Sequence, residues 1–159
     1  MNEFSKDLFQ LKPIGIVEEV GKQKHIRIFQ EYSSGLYRLE TISHIFILWF
    51  IHEADQEKFR KTKDTVIPRV RGFKAETQEM GTFSTRSPHR PNPIGLTLVK
   101  IIKIENDKIF VDFLDAFVGT PILDIKPYLP SGDRVDKNVF LPPWFSHLLI
   151  SRLSDKSCE

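Results

Sequence analysis

The sequence predicts an all-β fold with one or two short helices, arranged as a barrel or twisted sheet. Three observations predict it. Apolar residues come in short runs rich in β-branched and aromatic types. Small clusters of Gly, Pro, Asn and charged residues separate the runs. No strand-length run alternates with a helix-length one, as βαβ units would require.

The elements follow in chain order. Residues 13–17 (Pro-Ile-Gly-Ile-Val) and 25–29 (His-Ile-Arg-Ile-Phe) flank Gly21-Lys22-Gln23-Lys24 and read as a hairpin. Residues 42–50 are apolar on both faces, as a strand buried in the middle of the fold would be. Residues 53–63 are charged and lack Gly and Pro, which suits a short helix or excursion before Pro68 and Gly72 turn the chain. Residues 96–104 and 108–115 form the best-defined hairpin, about Glu105-Asn106-Asp107. On its second strand Ile109, Val111, Phe113 and Asp115 share a face by period-two alternation. A carboxylate at Asp115 therefore points where apolar side chains point and must find a partner or line a cleft. Pro142 and Pro143 open a C-terminal helix, about residues 142–154, whose Phe145, Leu148, Leu149 and Leu153 recur at helical spacing.

Composition narrows the function classes. A chain of 159 residues fits one domain, residues 1–159, around a single core. The lone cysteine, Cys158, permits neither an intramolecular disulfide nor a Cys-based zinc site, which suits a reducing cytoplasm. The charged first residues lack the apolar core of a secretory signal, and the run 45–51 is too short to span a bilayer, so no membrane role is expected. A net charge of +2 demands no polyanionic partner. Local charge is higher: Lys58, Arg60, Lys61, Lys63, Arg69, Arg71 and Lys74 make a cationic stretch, either an ordinary solvated surface or a phosphate contact.

Three stretches carry candidate chemistry. There is no Gly-rich phosphate loop, no catalytic pair of carboxylates and no paired-histidine motif, so a metal-free positioning site is expected. In residues 81–96, Pro88, Pro91 and Pro93 stiffen a connection that presents Arg86 and Arg90, whose planar guanidinium forks suit carboxylate or phosphate. Arginines bridging to nearby acids would look the same. In residues 114–128, Gly119 allows close approach to the backbone and Thr120 adds a hydroxyl. Asp124 caps or pairs locally, while Lys126 and Tyr128 flank Pro127 and look displayed. In residues 43–53, His44 reads as a structural strand histidine, and His52, beside Glu53 at the strand exit, reads as a pocket residue.

A resemblance rests on Pro13-Ile14-Gly15, Leu39-Glu40 with Ser43-His44, Phe50-Ile51-His52, the block from Thr85-Arg86-Ser87 through Pro91-Asn92-Pro93-Ile94-Gly95-Leu96, Gly119-Thr120-Pro121, and Asp124-Ile125-Lys126-Pro127-Tyr128. In order and spacing, roughly over residues 11–133, the chain resembles the TsaA-like (TrmO) family of S-adenosylmethionine-dependent transfer-RNA methyltransferases. The resemblance implies a small, mainly antiparallel β-barrel, usually a homodimer, that methylates threonylcarbamoyl-adenosine beside the anticodon. It implies that His52, Glu53, Arg86, Leu96, Gly119, Thr120, Pro121 and Ile122 line the S-adenosyl-L-methionine pocket. It places Arg90, Asn92, Lys126 and Tyr128 on the side of the tRNA substrate. Two features depart from the bacterial pattern: the turn from Gly21 to Lys24 is too short for a Pro-Arg-Gln loop, and Val118 stands where an acid commonly precedes Gly-Thr-Pro.

Methyl transfer from a sulfonium is an in-line displacement, so the protein chiefly aligns nucleophile, methyl carbon and leaving sulfur. The urea-like nitrogen must lose a proton, and Asp115 is the expected base because its strand face aims it at the cleft. Two rivals share the fold: a non-catalytic RNA-binding barrel that stacks bases on Phe73, Phe83 and Tyr128, and a methyltransferase of a small molecule.

Overall fold

The computed structural model describes residues 10–21, 23–52, 79–135 and 137–140, and the backbone of 65–66. The chain, read from sequence as one domain, divides into two compact units: Met1–Asp55 with Pro93–Tyr128, and Gln56–Asn92 with Leu129–Glu159. The expected 53–63 helix, the cationic stretch 58–74 and the C-terminal helix 142–154 lie outside the described residues.

The first unit is a closed, wholly antiparallel six-stranded barrel, as the sequence predicts. Its strands are β1 (Gly15–Val20), β2 (Gln23–Ile28), β3 (His44–Phe50), β6 (Ile94–Glu105), β7 (Lys108–Val111) and β8 (Pro121–Pro127). They are ordered β1-β2-β7-β6-β3-β8, with β8 returning to pair with β1. The N-terminal hairpin is tighter than expected, since the ladder runs on to Val20↔Gln23 and Gly21 turns the chain at φ 66°. The second hairpin closes at Glu105↔Lys108, so Asn106 (φ 54°) and Asp107 alone make the turn, a left-handed position that Asn tolerates well. Two short 3₁₀ segments, Gln30–Leu36 and Leu39–Thr41, link β2 to β3.

Period-two alternation fills the lumen. Val17, Ile26, Ile28, Ile45, Ile47, Val99, Ile109, Val111 and Ile122 are buried there, and Trp49 packs against them. One expectation fails: β7 ends at Val111, four residues short. The Asp112 carboxylate accepts from the backbone N–H of Lys100 (2.8 Å) and Phe113 (2.9 Å) while Asp112 N–H still donates to Lys100 O (3.1 Å), so a side chain takes over one half of the next ladder pair. Phe113 turns outward, 58% exposed, while Leu114 and Ala116 enter the core. Asp115 is thus exposed between the buried Leu114 and Ala116 and does not share an apolar face with Ile109 and Val111.

Between β1 and β2, Glu18 accepts from Arg27 Nε (2.5 Å) and sits 3.3 Å from Nε2 of the buried His25, which stacks on Phe110. The hydrogen bond from the Arg27 guanidinium holds the Glu18 carboxyl below the usual carboxylate range. A depressed carboxylate contributes stability above its unfolded value, and that contribution is lost as pH falls through the folded one.

In the second unit, β4 (Thr65–Val66) pairs antiparallel with β5 (Met80–Gly81), and a 3₁₀ turn, Thr82–Ser84, leads into the proline-rich loop. A single helical turn, α1 (Pro130–Asp133), follows the barrel; the Asp133 carboxylate accepts from Leu129 N–H at 2.7 Å. Among the described residues no helix is long and apolar enough to cross a membrane.

Candidate functional site

One end of the barrel gathers most of the candidates. There β3 ends, β6 and β8 begin, and the connection 112–120 crosses between β7 and β8. That connection is tied down along its length. Lys24 Nζ donates to the carbonyls of Leu114 (3.3 Å) and Ala116 (2.7 Å), on either side of Asp115. Gly119 N–H donates to Val17 O, and Thr120 O accepts from Val17 N–H, so both residues extend the β1 edge. Gly119 has φ +86° with nothing within 4 Å of where a Cβ would stand, a left-handed position facing open space.

The sequence-predicted residues divide by what holds them. His52 and Thr120 meet: Thr120 Oγ1 lies 3.2 Å from His52 Nδ1, so the Thr120 hydroxyl, in a residue 1% exposed, fixes the imidazole rather than facing a ligand. Ile122 is wholly buried in the core and offers no side-chain surface. Leu96, 50% exposed, lies outside the barrel on β6 opposite Leu48. Pro121 opens β8 beside Ile16. Glu53 lies outside the described residues.

Asp115 is exposed, and its carboxylate is anchored from inside the barrel. Thr97 Oγ1 donates to Asp115 Oδ1 (2.5 Å) and accepts from Trp49 Nε1 (3.0 Å). Neither Trp49 nor Thr97 was singled out in the sequence. The available signal was one hydroxyl at an inward position between Gly95 and Val99. A bulge sets up the arrangement: β3 steps from Leu48↔Asp124 to Trp49↔Ile122, leaving Leu123 extra on β8. The Trp49 indole lies across Gly95, where a Cβ would fall 2.2–2.5 Å from three ring atoms.

On β8, Asp124 does pair locally, with its own strand: it accepts from Ile125 N–H and bridges to Lys126 Nζ at 2.8 Å. Lys126 is thereby paired rather than free. Tyr128 packs edge-on against His44 (6.5 Å) and Phe46 (5.8 Å), with Ser43 Oγ 2.9 Å from His44 Nδ1, consistent with a structural His44.

In the second unit the proline-rich loop is braced by hydrogen bonds. Thr85 Oγ1 donates to Thr82 O, Ser87 N–H donates to Thr85 Oγ1, and Arg90 Nη1 donates to the carbonyls of Thr85 and Ser87, each at 3.1 Å. Arg90 thus spends one guanidinium nitrogen holding its own loop. Arg86 is exposed and has no hydrogen bond or ion pair among the described residues, and Asn92, six residues on, is exposed too. Among the described residues no cluster of His, Cys, Asp and Glu could hold a metal ion.

A family model described as tRNA-methyltransferase O N-terminal domain matches residues 13–134. An S-adenosyl-L-methionine-binding protein of Archaeoglobus fulgidus is 39% identical over 141 residues, covering 80% of this chain and 94% of that protein. The human tRNA (adenine(37)-N6)-methyltransferase is 42% identical over 116 residues, 73% of this chain, and the match spans only 24% of the human protein. The crystal structure of TrmO from Pseudomonas aeruginosa superposes with a TM-score of 0.62 at 25% identity, covering 84% of this chain and 62% of that one. With the family model matched over most of the chain and the same antiparallel barrel in the solved relative, this chain belongs to the TrmO family and carries its N-terminal domain.

Proposed function

We propose that this protein uses S-adenosyl-L-methionine to methylate the exocyclic nitrogen of threonylcarbamoyl-adenosine in transfer RNA. The observation that carries this is the family match over residues 13–134, within which the barrel end holds Asp115, His52 and Gly119 together in one unit. The residues present fit the cofactor: Gly119 leaves open space at the backbone, and the unpaired Arg86 guanidinium matches a carboxylate. Within the barrel unit, His52, Gly119 and Pro121 would hold it, with Thr120 fixing His52. Bound there, it supplies an activated methyl group on a cationic sulfur.

The protein's own part is alignment and one proton. Asp115, oriented from within the barrel, accepts the proton that the substrate nitrogen loses. Asn92, Arg90 and Tyr128 face the RNA in this reading, and Lys126 exchanges its bridge to Asp124 for phosphate. The cationic residues 58–74 add phosphate contacts, which make RNA affinity fall with salt. Purified protein with methyl-labelled cofactor should label transfer RNA that carries threonylcarbamoyl-adenosine and not the same RNA lacking it. A protein that binds cofactor yet labels neither would overturn the substrate.

The reading includes a homodimer. On the outer barrel face Phe46, Leu48 and Phe50 of β3 stand opposite Leu98, Leu96 and Ile94 of β6, an apolar strip that a symmetric partner would cover. Light scattering should report twice the chain mass across the micromolar range; a monomer there removes the dimer.

A further inference from the structure

We propose that Thr97 and Trp49 are positioning residues for Asp115, forming a polar chain through the barrel lumen that fixes one carboxylate oxygen and leaves the other for substrate. The inference rests on Asp115 as proton acceptor, the role assigned above.

The direction of every bond in the chain is determined. An indole N–H can only donate, so the Trp49 contact (3.0 Å) uses a lone pair of Thr97 Oγ1. The threonine hydroxyl then has its single hydrogen left, and the atom in line is Asp115 Oδ1 at 2.5 Å. The hydroxyl therefore donates to the carboxylate, and the indole polarises that hydroxyl further. Oδ1 is committed, and Oδ2 has no partner among the described residues.

Folding alone does not account for the arrangement. Thr97 is 8% exposed and needs a partner, but Trp49 already supplies one. Asp115 is exposed, so water would satisfy its carboxylate at no cost if the chain were broken. Yet the backbone on both sides of Asp115 is also fixed, by Lys24 Nζ on the Leu114 and Ala116 carbonyls and by the burial of those two side chains. Side chain and main chain are restrained independently, which is the construction expected of a group that must hold one orientation while facing solvent. Gly95 belongs to the same device, because any side chain there would displace the indole.

The test is a cycle on methyl transfer to transfer RNA, with cofactor affinity measured in parallel. Thr97→Val keeps the shape and removes the hydroxyl; it should lower kcat about tenfold with KM for cofactor unchanged, and Thr97→Ser should restore most of it. In an Asp115→Asn background, Thr97→Val should have no further effect on kcat. Equal losses from Thr97→Val in both backgrounds, or a change confined to KM, would overturn the positioning role while leaving Asp115 as base. An Asp115→Asn enzyme with full kcat would instead remove Asp115 and this proposal together. Independently of activity, the Trp49 indole N–H resonance should shift on Asp115→Asn and stay in place on Asp124→Asn. An unmoved resonance shows that the chain does not couple the two ends.

Discussion

Gly95→Ala should destabilise the barrel by about 1–3 kcal/mol, the usual cost of forcing extra volume into a packed interior. The added methyl would lie 2.2–2.5 Å from Cε2, Cδ2 and Cζ2 of Trp49. These are fused-ring atoms, so the indole must move as a plate rather than bend one flexible end away. It sits directly opposite Gly95 in the β3–β6 ladder and packs against the core, so moving it also breaks its bond to Thr97. The alanine does restrict the unfolded chain, which favours folding by about 0.4–1 kcal/mol, but that is the smaller term. Thermal or urea unfolding measures the loss directly. Trp49→Phe should be less damaging in the Gly95→Ala background than alone, because the smaller ring makes room for the methyl; strict additivity would show that the two do not meet.

The second large effect concerns Arg86. Arg86→Ala should weaken S-adenosyl-L-methionine binding about 10–100-fold, the worth of a charge-assisted hydrogen bond of ~1.5–3 kcal/mol, with the unfolding midpoint unchanged. The loop shows why the two arginines should differ. Arg90 is occupied with the Thr85 and Ser87 carbonyls, whereas Arg86 projects from the loop that Arg90 braces. Arg90→Ala should therefore also reduce affinity, but through a loosened loop, with added protease cleavage near residues 85–92 that Arg86→Ala lacks. Calorimetric titration of the two variants separates them. Unchanged affinity in folded Arg86→Ala removes that guanidinium from the pocket.

The barrel was largely legible in the sequence because period-two alternation and turn chemistry are local. The 96–104 strand, its partner and the N-terminal hairpin fall close to where their residues place them, and Asn106 marks its turn by tolerating a left-handed backbone. What was not legible depends on tertiary partners. Asp112 ends β7 by bonding two backbone N–H groups, one from a strand twelve residues back, so alternation carried past it put Phe113 and Asp115 on the wrong face. Asp115 was singled out for that mistaken reason and is anchored for another: the inward-facing Thr97 of β6 donates to its carboxylate. Motif membership also mixed two kinds of residue. Gly95 and Arg90 lie in the family blocks, yet here they serve packing and loop bracing. Arg86 and Gly119 in the same blocks are left facing outward.

The place where the chain leaves and re-enters the barrel has a consequence for how such a protein diversifies. The backbone departs after Phe50 and returns at Ile94, and those two residues are ladder partners, with Ile51 N–H bonded to Pro93 O at 2.8 Å. The two ends of the excursion are thus riveted together by the barrel itself. On such a stem, each doubling of loop length costs only about 0.6 kcal/mol more. The stem is a splice point: the intervening sequence can be lengthened, trimmed or exchanged while the six-strand ladder stays closed. Under the function proposed above, RNA contacts carried on that cassette can change while the barrel end that holds Asp115 stays the same.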